Sequence, residues 1–280
     1  MTQIGPQDIA DWSAFVGRGE TVGQHLDETV LKRFLLVLGE AGATGGIVPP
    51  MAHWAYFLPM TANEDIGPDG HLKRGGFMPP VTLPRRMFAA GATRFLRPLS
   101  TGREAACATR IADVAHKSGR SGDLVFVEVE RTVSQSGAAC VVERQTIVYR
   151  DAGAAVAPVE RGDPLALEEP VWTPGPVDLF RFSAVTFNAH RIHYDEPYAT
   201  AVEGYPGLVA HGPFTASMLC RLAARTAGGR RMTEFAFRAA APLFAGQPVR
   251  LRAKADGDIV ETAALRQDGL AAVTARATFE

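Results

Sequence analysis

Cysteine is scarce in this sequence. The 280 residues hold three, Cys107, Cys140 and Cys220. An odd count at wide spacing builds neither a disulfide framework nor a zinc pattern. Long apolar runs are missing as well: none approaches the roughly 18–20 residues that span a bilayer. The N-terminal stretch lacks a basic-then-apolar signal, because Asp8 and Asp11 interrupt it. A cytoplasmic, soluble chain without a membrane partner is the expectation. Basic excess is also absent. Lys and Arg total 29 against 30 Asp and Glu, and the cations are scattered, which leaves no electrostatic footprint for nucleic acid. No glycine-rich nucleotide signature appears.

What is present is ordinary globular material, 46% hydrophobic and 21% charged, long enough for one large domain or two smaller ones. Arginine outnumbers lysine, which favours planar recognition of carboxylate or phosphate where arginines converge. Residues 27–38 read as a helix, with acids in the first turn and an apolar stripe at Leu31, Phe34, Leu35 and Leu38. Residues 40–84 are rich in Gly and Pro. A loop of that length suggests a binding role or mobility, and within it Met51 to Leu58 fits a buried strand. Val125, Val127 and Val129 alternate with Phe126, Glu128 and Glu130, the signature of a half-buried strand. Turn chemistry at 134–137 leads into a second strand over 140–149. Residues 151–177 have linker composition. A helix over 213–227, apolar on nearly every side, follows. Four strands then run over 235–240, 249–253, 259–265 and 271–279.

The chain also repeats itself. Residues 94–102 and 238–246 both fit R-x-x-x-P-L-x-x-G, and each precedes a run of antiparallel strands and follows a hydrophobic helix. The economical reading is a duplicated α+β unit, one buried helix wrapped by an antiparallel sheet, with the two sheets paired edge to edge so that neither edge is exposed. The halves fall at 1–155 and 178–280, with a linker over 156–177. They differ in residues 182–199, where Asn188, His190, Arg191, His193, Tyr194, Asp195 and Glu196 crowd into an apolar frame.

F-S-A-V-T-F-N-A-H-R-I-H-Y-D in that stretch, P-R-R-M-F-A-A-G at 84–91 and H-G-P-F-T-A at 211–216 resemble the MaoC-like double hot-dog hydratases and dehydratases. The likeness is greatest to the subgroup of mesaconyl-CoA, itaconyl-CoA and 3-methylfumaryl-CoA hydratases and type 2 3-hydroxyacyl-thioester dehydratases. It covers most of the chain. It implies two antiparallel sheets, each around a long helix, in one α+β chain. It also implies reversible hydration of an α,β-unsaturated acyl-CoA thioester, with a first half that shapes the acyl pocket. CoA is then part of the substrate, no metal or redox cofactor is needed, and a homodimer is the oligomer to test. The broader hydratase motif has an Asp five residues before its His. Here Asn188 stands in that place and His193 in the place of the His.

Hydration needs a base for water, an acid for the α-carbon and donors for the enolate oxygen. His193 suits the first two roles, since an imidazole titrates near neutral pH. Asn188 cannot act as a base but can position water. The Gly212 amide, at the start of the buried helix, suits the third role. Asp195 is an alternative acid/base, although in an extended segment its offset from His193 turns it to the opposite face. Arg191 reaches substrate or pairs with Asp195 or Glu196, and Tyr194 is a second substrate contact. His190 is a structural partner of Asp195 or a surface group. His211 borders the substrate or supports the helix start. Arg85 and Arg86 are candidates to clamp a substrate carboxylate, yet neighbours on a strand point to opposite faces, so at most one faces the pocket. Trp54 to Phe57 line an acyl pocket or fill core. An unbranched-chain dehydratase, a non-catalytic acyl-thioester module and a thioesterase are the rival functions.

Overall fold

The alternating segments form strands well beyond the residues that signal them. The computed structural model describes residues 4–119, 122–153, 159 and 170–280. In it β4 (Gly122–Gln135) and β5 (Ala138–Arg150) pair as a long antiparallel hairpin across the turn at Ser136 and Gly137. With β1 (Gly19–His25), β2 (Arg85–Phe95) and β3 (Glu104–Gly119) they make the first half of the sheet. The second half consists of β6 (Val171–Trp172), β7 (Met232–Ala239), β8 (Val249–Asp256), β9 (Ile259–Leu265) and β10 (Ala271–Phe279). Strand order is β1-β3-β4-β5-β2-β7-β10-β9-β8-β6, so the two five-stranded sheets join into one of ten strands.

The join shows the duplication directly. β2 pairs antiparallel with β7 over Ala90 to Arg94, with Ala92 opposite Ala236 at the centre. Ala92 and Ala236 stand at the same sequence offset as the repeated Arg94 and Arg238, so the pairing closes around a local two-fold. Each half then runs in the same order: a short edge strand, a helix, and four long strands. Gly91 is needed at this seam, since a Cβ there would run into the Phe237 ring.

Helices cover one face. α4 (Gly212–Thr226) buries Phe214, Ala216, Leu219, Cys220, Leu222 and Ala223 against β7 to β10 and reaches β2. α3 (Pro176–Thr186) follows β6, as α2 (Glu28–Val37) follows β1, and α2 and α3 pack on each other with Phe34 5.9 Å from Phe182. By chain order α3, not α4, is therefore the counterpart of the 27–38 helix. α4's place in the first half is taken by a single buried 3₁₀ turn, Ala52–Ala55, where the apolar composition suggests a strand. Met51 enters it with φ of 65°, which breaks any extended run. Most of the expected linker lies outside the described residues. Its last part is structured: Val171 and Trp172 pair with β8, and Pro176 already opens α3, where the Asp178 carboxylate accepts the Gly175 N–H at 2.8 Å.

The turn that replaces a helix is held by a buried charge. Glu143 on β5 accepts from Trp54 Nε1 at 2.8 Å and Gln145 Nε2 at 2.9 Å, and its other oxygen meets His53 Nε2 at 3.2 Å. Arg131 lies 3.8 Å away. Burial pushes the Glu143 carboxyl upward, but His53, Arg131 and Gln145 outweigh it and bring the pKa to about 2. Among the described residues no helix is long and apolar enough to cross a membrane.

Candidate active site

The polar stretch is not extended. α3 ends at Phe187 in the left-handed region (φ 49°), and the Asn188 N–H closes the helix onto the Ser183 carbonyl at 2.9 Å. Asn188 Oδ1 accepts the His190 N–H at 3.0 Å, an Asx turn that feeds a short 3₁₀ turn, Arg191–His193. That turn buries His193, 6% exposed, with Nδ1 2.7 Å from the Val209 carbonyl. A carbonyl only accepts, so Nδ1 carries the proton and Nε2 is the basic nitrogen.

His193 stacks on His211, ring centroids 3.6 Å apart and inclined 22°. His211 is fully enclosed, contacts Ser183 Oγ through Nε2 at 2.8 Å and packs on Phe182. It precedes α4, so the His193 ring stands beside the helix N-terminus. There the Gly212 N–H, like every first-turn amide, has no acceptor within the helix. A register shift in β2 between Phe88 and Ala90 brings the Phe88 carbonyl against Gly212.

The first half supplies the other wall through its long Gly/Pro loop. The Arg191 N–H donates to the Asp69 carbonyl at 2.9 Å, and Arg191 Nη1 to the Pro68 carbonyl at 3.0 Å. Gly70 (φ 88°) lies so close to the Ala189 carbonyl that a Cβ would overlap it. The docked turn sets Asp69 Oδ2 3.0 Å from His71 Nδ1 and puts the His71 ring 3.9 Å from that of His190, itself 5.3 Å from His193. Four imidazoles thus follow one another: His71, His190, His193 and His211.

All four are driven toward the neutral form. Burial is the leading cause for each; it takes His193 to about 4 and His190 to about 2, and the fields of neighbouring histidines add to the effect. His71 is lowered and His211 lowered well below its ordinary value. The Val209 carbonyl opposes the shift at His193, and Asp69 opposes it at His71. Asp69, His71 and His190 also bring three ligand-type atoms within 4.8 Å of one another, the spacing of a metal site. Both carboxylate oxygens of Asp69 already serve His71, and the charge of Arg86 is felt at all three residues. A positive neighbour and an occupied carboxylate fit a cation poorly.

Other residues singled out in the sequence fall into place around this core. Arg191 takes the ion-pair course, with Nε and Nη2 2.9 and 2.8 Å from Asp195 Oδ2 and its guanidinium over Tyr198. Asp195, held low chiefly by Arg191, also caps Tyr198 N. His190 meets histidines rather than Asp195. Tyr194 is half exposed and donates to the Ala189 carbonyl. His211, being enclosed, supports the His193 ring and has no surface for substrate. Arg85 is buried in an ion pair with Glu203 at 3.1 Å. Arg86, opposite the core residue Tyr149, is the member of the pair on the inner face. Trp54 is core, packed on Phe88 and Phe237. Asp69 and His71 are the residues that sequence reading missed; the D-x-H spacing within an unusually long loop was their one signal.

A helix inside a doubled antiparallel sheet, with a buried imidazole beside that helix's N-terminus, is a double hot-dog arrangement. Residues 51–245 match the family model of hydroxyacyl-thioester dehydratase type 2. The chain is 44% identical over 279 residues to the mesaconyl-C4-CoA hydratase of Chloroflexus aurantiacus, covering 95% of this chain and 97% of that one. Crystalline HtdX of Mycobacterium tuberculosis superposes with a TM-score of 0.69 at 19% identity, over 94% of this chain and all of the other. A second mycobacterial structure, described as a double hot-dog fold, gives 0.53 at 12% identity over 96% and 98% of the two chains. The chain belongs to the type 2 hydroxyacyl-thioester dehydratase family and is a hydro-lyase.

Proposed function

We propose that the enzyme hydrates mesaconyl-C4-CoA (3-methylfumaryl-CoA), or a closely related branched dicarboxyl-CoA such as itaconyl-CoA, reversibly; with the mesaconyl-C4 thioester the product is citramalyl-CoA. The observation that carries the substrate is the 44% identity, end to end, with the Chloroflexus mesaconyl-C4-CoA hydratase. In this reading His193 Nε2 takes a proton from water as the oxygen bonds to the β-carbon. The π electrons move to the thioester oxygen, which accepts the Gly212 N–H, and the His193 imidazolium returns its proton to the α-carbon. One water is added in all. The neutral His193, with Nδ1 committed to Val209, supports the base role. Asn188, its Oδ1 held by the His190 N–H, keeps its amide nitrogen for the water. Nothing in these steps calls for a metal or redox cofactor.

The family also supports a second reading, dehydration of unbranched 3-hydroxyacyl thioesters. Hydration rates for crotonyl-, long-chain enoyl-, itaconyl- and mesaconyl-CoA separate the two. A preference for crotonyl- or long-chain substrates sinks the first reading, and release of free CoA without hydroxyacyl product sinks both. A cytoplasmic location and a homodimer of such chains complete the reading; cell fractionation and light scattering test them.

A further inference from the structure

Arg85 and Arg86 are neighbours on β2 with different fates. Arg85 is buried against Glu203 and lies over the Tyr205 ring. Arg86 is half-buried on the inner face, and its guanidinium makes no ion pair or hydrogen bond among the described residues. Its charge is nevertheless felt at Asp69, His71 and His190. The nearby carboxylate is already engaged: Asp69 Oδ1 accepts the His71 N–H at 3.0 Å and Oδ2 faces His71 Nδ1. A guanidinium taken partly out of water without an anion is incomplete, since its five donors are laid out for a planar oxyanion.

Place decides what that anion is. Arg86 stands on β2 two residues before Phe88, whose carbonyl lies against Gly212 at the start of α4. An anion on Arg86 therefore lies along the strand that borders the helix N-terminus on which His211 and His193 stack. In a mesaconyl-C4 thioester the free carboxylate is carried by the β-carbon, the atom that water attacks. The far CoA phosphates cannot occupy this spot while the double bond lies at His193.

We propose that Arg86 is the subsite for the free carboxylate of a dicarboxyl-CoA substrate. The assignment rests on the substrate reading above and adds to it the residue that selects a charged acyl group over an apolar one. The docked loop matters here because it carries Asp69 and His71 from the first half to the second, where the charge of Arg86 is felt at both.

The test compares kcat/KM for mesaconyl-C4-CoA and crotonyl-CoA, which lacks the carboxylate, in the full-length wild type, Arg86→Met and Arg86→Lys. The wild type should prefer mesaconyl-C4-CoA. In Arg86→Met the ratio of the two constants should fall roughly 100-fold, the usual scale for removing one partner of a buried charged pair. Arg86→Lys should recover part of it. Thermal unfolding confirms that the variants are folded, and the ratio itself cancels a general loss of active enzyme. An unchanged ratio in Arg86→Met overturns the subsite while leaving the substrate reading intact. A wild type without the preference sinks the substrate reading itself. Stoichiometric metal in the purified enzyme that disappears in His71→Ala also overturns the proposal, because a cation would then hold the cluster.

Discussion

His193 and His211 lie ring on ring, 3.6 Å between centroids, and His193, with Nδ1 on the Val209 carbonyl, keeps Nε2 unprotonated. His211 is tied to Ser183 and fully enclosed. In the proposed reaction one imidazole is the reagent and the other its backing plate. Replacing His193 by Ala should lower hydration about 100- to 10,000-fold, the range typical of general acid–base catalysis. The circular dichroism spectrum should hardly change. Near-normal turnover by a folded His193→Ala enzyme refutes the assignment.

The depressed pKa of His193 gives a pH prediction. The base must be neutral, and the folded enzyme keeps it neutral down to about 4. The acid limb of kcat/KM should therefore lie well below the ordinary histidine value near 6.5. Rates across pH 4 to 8 check this, and a limb centred near 6.5 contradicts it.

Stability should respond to the same groups with a definite sign. His71, His190, His193 and His211 all have folded-state pKa values below their unfolded ones. Between the two values the unfolded chain binds more protons, so stability rises with pH through this window. The full contribution is present above the unfolded value and is lost as pH falls toward the folded one. Tm measured from pH 7 to pH 4.5 should decline, and a flat Tm would show that these imidazoles are solvated.

Gly70 couples the two halves at the site. Its Ala variant cannot keep both the positive φ and the contact with Ala189. Because the turn lies at the surface of the fold, the protein should stay folded while Asp69 and His71 shift. Displacement by about 1 Å can cost roughly 100-fold in rate. Loss of activity without loss of Tm is the expected pattern; wild-type kinetics would mean that the loop is a bystander.

Glu143 is the test of the first half. Glu143→Ala leaves the Trp54, His53 and Gln145 donors without their acceptor. Removing one partner of a buried ionic network costs about 3–5 kcal/mol. Guanidinium unfolding reads this directly, and a change below 1 kcal/mol would mean that the 3₁₀ turn is held by its apolar packing alone.

Much of this was legible in the chain. Strand alternation at Val125, Val127 and Val129 reflects the pleat itself, and the strand over 259–265 ends where its turn residues begin. The all-round apolar helix proved to be α4, and the repeated Arg94 and Arg238 pointed to the seam. Residues 182–199 announced themselves because polar groups in an apolar frame need partners. Other parts were hidden for physical reasons. α3 opens with Gly175, Pro176 and Asp178, which resemble the linker before them although the same residues begin a helix. Glu143 alternates like any strand residue; its burial is decided by a turn far away in sequence. Asp69 and His71 gain meaning only when their loop crosses to the other half, a contact that no local pattern encodes.

The seam at Ala92 and Ala236 has an evolutionary consequence. A dimer of identical subunits repeats every mutation on both sides of its axis, so its two pockets must change together. Here the axis lies inside one chain, and each side can drift alone. One side carries the long helix α4 and the His193 stretch. The other carries a short turn over a buried acid and the long loop that docks on its neighbour, a division that two identical subunits could not make.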